Sequence, residues 1–137
     1  MESKFNPKPL ISLLLVEDEP GTLELLITIF TMKYPDIVLN TAINGKAGLE
    51  LFLAHTPDIV MTDINLPIMS GLQMIDKIKT IKPDAMIIVL TADTGKAILE
   101  NAISKGFEID HFIAKPVVFE QLFAAIEQCI GVIAKQS

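Results

Sequence analysis

The chain has 137 residues, half of them apolar, enough for one domain with a real hydrophobic core and too many for a disordered segment. Its formal charge is −6 and all eleven basic residues are lysine, which argues against nucleic-acid binding, where clustered positive charge must meet phosphate. The single cysteine, Cys129, rules out an intramolecular disulfide, and no apolar run approaches the roughly 20 residues of a membrane-spanning helix.

Residues 1–9 read as a polar lead-in without the basic start and apolar stretch of a signal peptide, so a cytoplasmic location is expected. LISLLLV (10–16) is an almost wholly apolar run, as in a parallel strand covered on both faces. It ends on three adjacent carboxylates, Glu17, Asp18 and Glu19, for which packing gives no reason; taken alone, they read equally as anions at a helix N-terminus or as a metal site. Pro20 suits the first turn of a helix carrying Leu23, Leu26, Ile27 and Phe30 on one stripe. DIVLNTA (36–42) is a second strand, and Asn44–Gly45 a turn and helix start with no phosphate-binding glycine pattern. PDIVMTD (57–63) is a third strand, and Ser70 with Gln73 makes a capping box that starts a helix near residue 71. AMIIVLT (85–91) and DHFIA (110–114) are the fourth and fifth strands. The last helix carries Phe119, Leu122, Phe123, Ile126, Ile130 and Ile133 on its stripe, with Cys129 near that face as a small core residue. Met61, Met69 and Met74 read as packing. His55 and His111 read as surface or loop residues, having no second histidine or cysteine at metal spacing. The domain is expected over 10–134, with a short polar end at 135–137.

Five strands, each followed by a helix, imply an α/β fold: a parallel sheet with helices on both faces, in the flavodoxin-like order 2-1-3-4-5. Ligands of such sheets bind beyond the carboxyl ends of the strands. At those ends stand Glu17 and Asp18, then Asp63, Thr91 and Lys115. Three acids and one lysine leave two negative charges, costly at close quarters. A divalent cation removes the excess, and an all-oxygen set with few carboxylates favours Mg²⁺ over Ca²⁺.

These residues carry a resemblance. LLLVEDEP, DIVMTDINLPIMSGL, VLTA and FIAKP, in this order and spacing, resemble the receiver domain of two-component response regulators from about residue 11 to residue 133. The resemblance implies that Asp63 accepts a phosphoryl group from a phosphohistidine of a partner kinase or phosphotransfer protein. It implies Asp18 and Asp63 as direct Mg²⁺ ligands, Glu17 acting mainly through metal-bound water, and the Asn65 main-chain carbonyl as a further ligand. Lys115 resembles the lysine that pairs with the phosphoryl group, Thr91 the hydroxyl that follows it, and Phe112 the aromatic switch position. The Lys115–Pro116 bond is usually cis in the family. Asn65 and Asp93 stand where the family tunes phosphate lifetime. The implied activity is phosphoryl transfer onto the domain itself, without turnover of another substrate. The output would be a changed face of the fourth helix, fifth strand and fifth helix toward an output domain or target protein. Homodimerisation through that face is common in the family.

Two features depart from the family pattern. GFEIDHFIAK (106–115) is about two residues longer than usual, and phenylalanine replaces the commoner tyrosine at 112. Phe112 reads equally as core or as switch. Two other functions are weighed: a receiver-like adaptor that works without phosphate, and an aspartyl phosphatase of the haloacid-dehalogenase type. The latter needs an aspartate nucleophile where Glu17 stands.

Overall fold

The computed structural model describes residues 10–92 and 96–136. The strands are β1 (Ser12–Val16), β2 (Val38–Ala42), β3 (Ile59–Asp63), β4 (Met86–Thr91) and β5 (His111–Ala114). The helices are α1 (Pro20–Lys33), α2 (Gly45–His55), α3 (Gly71–Ile81), α4 (Lys96–Ser104) and α5 (Phe119–Gln136). All strand pairs are parallel and their order is β2-β1-β3-β4-β5, as expected from the alternation.

The period-two alternation of the strands divides the core into two layers. Leu13, Leu15, Ile59, Met61, Ile88 and Leu90 face one side, where α1 and α5 bring Leu26, Phe30, Leu122, Ile126 and Cys129. Leu14, Val16, Val60, Ile87 and Val89 face the other, against Phe52 of α2, Met74, Ile75 and Ile78 of α3, and Leu99 of α4. Phe119, Phe123, Ile130 and Ile133 pack on the first layer, so the stripe read for α5 is the buried one. The α1–α5 contact is aromatic: the Tyr34 and Phe123 rings meet edge to face with centroids 6.0 Å apart, and the Tyr34 hydroxyl donates to Glu127 at 2.7 Å.

Helix ends follow the local chemistry. Ser70 and Gln73 form the expected capping box of α3. The Asn44 side chain accepts the Ala47 N–H at the start of α2. After α4, Gly106 takes φ +95° and the Phe107 N–H returns to the Ala102 carbonyl, a turn that needs glycine's freedom. The long segment that follows is tied down: Lys79 Nζ lies 3.8 Å from Glu108, and the Asp110 carboxylate accepts the Ile87 N–H at 2.7 Å.

Two expectations need correction. The first three strands begin about two residues later than their apolar runs, because pairing rather than hydropathy sets the start. Leu10 is exposed, and the Ser12 N–H is taken by the Asp58 carboxylate at 3.0 Å. Phe112 is not core. It is 59% exposed on the edge strand β5, where its neighbour Ile113 takes the buried position.

Candidate functional site

Register brings the strand ends together. Val16 lies opposite Thr62, Asp63 opposite Leu90, and Thr91 opposite Ala114, so the residues just past β1, β3, β4 and β5 share one edge of the sheet. Lys115, which follows β5, donates from its N–H to the Thr91 carbonyl at 2.8 Å, which fixes its backbone at that edge.

The three adjacent carboxylates have three different settings. Glu17 is fully buried; its Oε1 lies 2.7 Å from Lys115 Nζ and its Oε2 accepts the Glu19 N–H at 3.1 Å. Asp18 is exposed, with no hydrogen-bond or ion-pair partner among the described residues. Glu19 is the N-cap of α1, accepting the Thr22 N–H at 2.6 Å and the Gly21 N–H at 3.3 Å. Those hydrogen bonds, the ones from Thr22 foremost, hold the Glu19 carboxyl below its ordinary value. The run therefore combines a site with a helix cap.

Asp63 completes the group. Its Oδ2 lies 2.8 Å from Lys115 Nζ and its Oδ1 accepts the Asn65 N–H at 3.2 Å. Carboxylate oxygens of Glu17, Asp18 and Asp63 all lie within 4.8 Å of one another. Partial burial pulls the Lys115 ammonium down, but hydrogen bonds to Asp63 and Glu17 outweigh it and raise the group above the ordinary lysine value. Lys115 thus stays charged over three acids it cannot fully neutralise. Hard oxygen donors, an exposed Asp18 carboxylate and a residual negative charge suit a divalent cation.

Thr91 is buried beside this group, with its hydroxyl donating to the Ala92 carbonyl at 3.0 Å. Asn65 is exposed in the loop after β3. Phe112 stands on β5 three residues before Lys115, out on the surface. Asp93 lies outside the described residues. The Lys115–Pro116 peptide bond is cis. His55 is exposed at the end of α2 and His111 half-buried on β5; neither belongs to the acidic group, the sole cluster of its kind among the described residues. None of the described helices is long and apolar enough to cross a membrane.

Sequence reading set Glu17–Glu19 against a helix N-terminus without singling out Glu19 as the cap, and it missed the strand-start caps Asp58 and Asp110. A carboxylate three residues before a helix N–H was available as a signal for the first; nothing local marks the other two.

Comparison with known proteins agrees with this geometry. Residues 13–127 match the response regulator receiver domain family. The chain is 32% identical over 118 residues to the transcriptional regulatory protein GlrR of Escherichia coli K12, covering 86% of this chain and 26% of that one. It is 29% identical over 118 residues to the chemotaxis protein CheY of Bacillus subtilis, covering 86% and 97%. A response regulator receiver domain protein from Clostridium thermocellum superposes with a TM-score of 0.83 at 25% identity, covering 93% of this chain and all of that one. The chain spans about a quarter of GlrR, and 53% of the nitrate/nitrite response regulator NarL of Escherichia coli K12. By sequence, strand order and the clustering of its acids, this chain belongs to the family of response regulator receiver domains.

Proposed function

We propose that Asp63 is a phosphoacceptor, taking a phosphoryl group from the phosphohistidine of a kinase or phosphotransfer protein. The observation that carries this reading is the placement of Lys115 Nζ 2.8 Å from Asp63 Oδ2, with the carboxylates of Asp18 and Glu17 alongside. An Asp63 oxygen forms the new bond to phosphorus while the P–N bond of the donor breaks, its electron pair staying on the imidazole nitrogen. Lys115 is already charged at the acceptor oxygen and is within reach of the incoming phosphoryl oxygens.

Asp18 and Asp63 would hold Mg²⁺ with the Asn65 main-chain carbonyl, Glu17 standing behind them. When bound, the ion would neutralise phosphoryl charge. The chain performs this transfer on itself and turns over no separate substrate beyond hydrolysis of its own acyl phosphate.

The signal would leave through Thr91. Its hydroxyl exchanges the Ala92 carbonyl for a phosphoryl oxygen, the end of β4 shifts, and exposed Phe112 turns into the space released. The face of α4, β5 and α5 would then change its preference for an output domain or target protein, on the same polypeptide or another.

Titration with Mg²⁺ and beryllium fluoride, which mimics the phosphoryl group, tests the reading by amide NMR. Shifts at Thr91 and across β5 are expected, and Asp63→Asn abolishes them. An unchanged wild-type spectrum at saturating Mg²⁺ would favour the phosphate-independent adaptor instead.

A further inference from the structure

We propose that Ile68 is a specificity-determining contact for the protein that donates the phosphoryl group. The loop after β3 holds its side chain outward, where it packs against apolar residues beside the donor's phosphohistidine. The inference rests on the proposed role of Asp63 and names a residue that decides which donor is accepted.

Ile68 sits in a backbone conformation that isoleucine rarely adopts. Its φ is +71°, and the Met69 N–H donates to the Pro67 carbonyl at 2.8 Å, two residues back. A bond across three residues with a positive central φ is the rarer, strained form of γ-turn. Two branches on Cβ make the left-handed region costly, and glycine, asparagine or aspartate would hold the same turn with less strain. Burial does not offset that cost, since the side chain is 76% exposed. Leu66 and Met69 of the same loop pack on the layer of α2 and α3, whereas Ile68 is turned out to solvent.

The turn is held from two sides. A methyl group at Gly45 would overlap the Met69 carbonyl oxygen, so the first residue of α2 presses on the loop there. Beyond it, Ser70 and Gln73 close the capping box of α3, and the Gly71 N–H donates to the Ile64 carbonyl at 2.8 Å. Strain of this kind persists where the surrounding structure fixes it, and it gathers at binding and reacting sites. An exposed isoleucine by itself is ordinary. One fixed in a strained turn, with most of its surface left in water, has its use in a contact outside the fold.

The location identifies the partner. Ile68 is three residues from Gly71, so their α-carbons lie within about 12 Å of each other. Gly71 in turn abuts the Asp63 carbonyl. A donor protein that brings a phosphohistidine to Asp63 covers about 800 Å² of this chain, a patch about 16 Å in radius. Ile68 falls inside such a footprint. The acids and Lys115 at its centre serve any phosphoryl group, whereas an apolar contact at its rim distinguishes one donor surface from another. Acetyl phosphate is too small to reach that rim.

The test uses the full chain. Histidine kinases and phosphotransfer proteins of the source organism, phosphorylated on histidine, are screened for transfer to wild type, and the fastest donor serves as the probe. With that donor, Ile68→Asn should raise KM by about five- to tenfold and leave the rate at saturation unchanged. Phosphorylation by acetyl phosphate should be unaltered, and Tm should rise by about 2 °C or more as the turn relaxes. Ile68→Val keeps both the apolar surface and the strain, so its KM should stay within about twofold of wild type and its Tm should not rise. Ile81→Asn, at an exposed isoleucine on the far end of α3, should leave transfer from the protein donor unchanged. An unaltered KM in Ile68→Asn would overturn the proposal. So would an equal loss with acetyl phosphate, a comparable loss in Ile81→Asn, or a lowered Tm, which would make the side chain structural. Transfer from none of the protein donors, with acetyl phosphate still accepted, would overturn it as well. A wild type that refuses acetyl phosphate and every protein donor would sink the role of Asp63 and this contact with it, whereas normal transfer with an unaltered KM sinks the contact alone.

Discussion

Gly71 stands directly behind Asp63: a methyl group on its α-carbon would overlap the Asp63 main-chain carbonyl oxygen. The Gly71 N–H also donates to the Ile64 carbonyl at 2.8 Å, so the first residue of α3 is pressed onto the end of β3. The backbone of Asp63 is thereby held by a helix whose first residue must lack a side chain.

Gly71→Ala should cost about 3 kcal/mol or slightly more, because the obstacle is backbone and cannot rotate away. Gly131→Ala is the contrast. It lies inside α5 with open space around its α-carbon and should gain about 0.5–1 kcal/mol from reduced chain entropy. Urea unfolding of both variants checks the pair; a tolerated Gly71→Ala would mean that α3 can slide away from β3.

Asp18→Asn should behave in opposite ways with and without metal. It removes one of three crowded negative charges, so the metal-free variant is expected to be more stable than wild type by up to about 1 kcal/mol. Wild type should gain stability as Mg²⁺ is added, through preferential binding to the folded state, and the variant should gain little. Thermal unfolding across a Mg²⁺ series reads both effects.

Lys115→Met should destabilise the protein by about 2 kcal/mol at neutral pH, leaving buried Glu17 without its counter-ion at a partly exposed site. The folded state raises the Lys115 pKa, so its contribution is fully present below the ordinary lysine value of about 10.4 and is lost as pH rises through the folded value. The gap between wild type and variant in urea unfolding should hold up to about pH 10 and narrow above it. A gap that stays constant into strong alkali would remove the ion pairs as its source.

Cys129 is fully buried in α5, and burial pushes its thiol up to about 12. At pH 8 almost no thiolate is present in the folded chain, so alkylation by iodoacetamide should proceed only through opening. The rate is expected to be about a hundredfold or more below that in urea. Rapid labelling without urea would indicate that α5 separates readily from the sheet.

Ser70→Ala removes the side-chain acceptor of the Gln73 N–H and breaks the capping box, with an expected loss of about 1 kcal/mol. The helix begins just after the loop from Asp63, so the amide signals of 64–70 should broaden in the variant while those of β1 and α5 stay unchanged.

Much of this was written locally. The apolar runs at 10–16 and 85–91, the boxed start of α3 and the stripe of α5 each mark an element through the face it must bury, a property of a few neighbouring residues. Their alternation gave the parallel sheet and its order, and through the order the edge where Asp63 and Lys115 meet. The order and types of the acids, the threonine and the lysine were enough to recognise the family.

What the sequence could not apportion was which partner each polar group would take. Glu17, Asp18 and Glu19 are consecutive and chemically alike, yet one is buried on a lysine 98 residues away, one has no partner among the described residues, and one caps a helix. Asp58 and Asp110 end up capping strands at distances of 46 and 23 residues. Phe112 is apolar and sits in a strand, yet it lies outside the core because β5 is at the sheet's edge. Periodicity specifies faces, whereas partnership depends on register, on the direction of each side chain and on what the opposite element leaves open. Those quantities exist only after distant segments have packed.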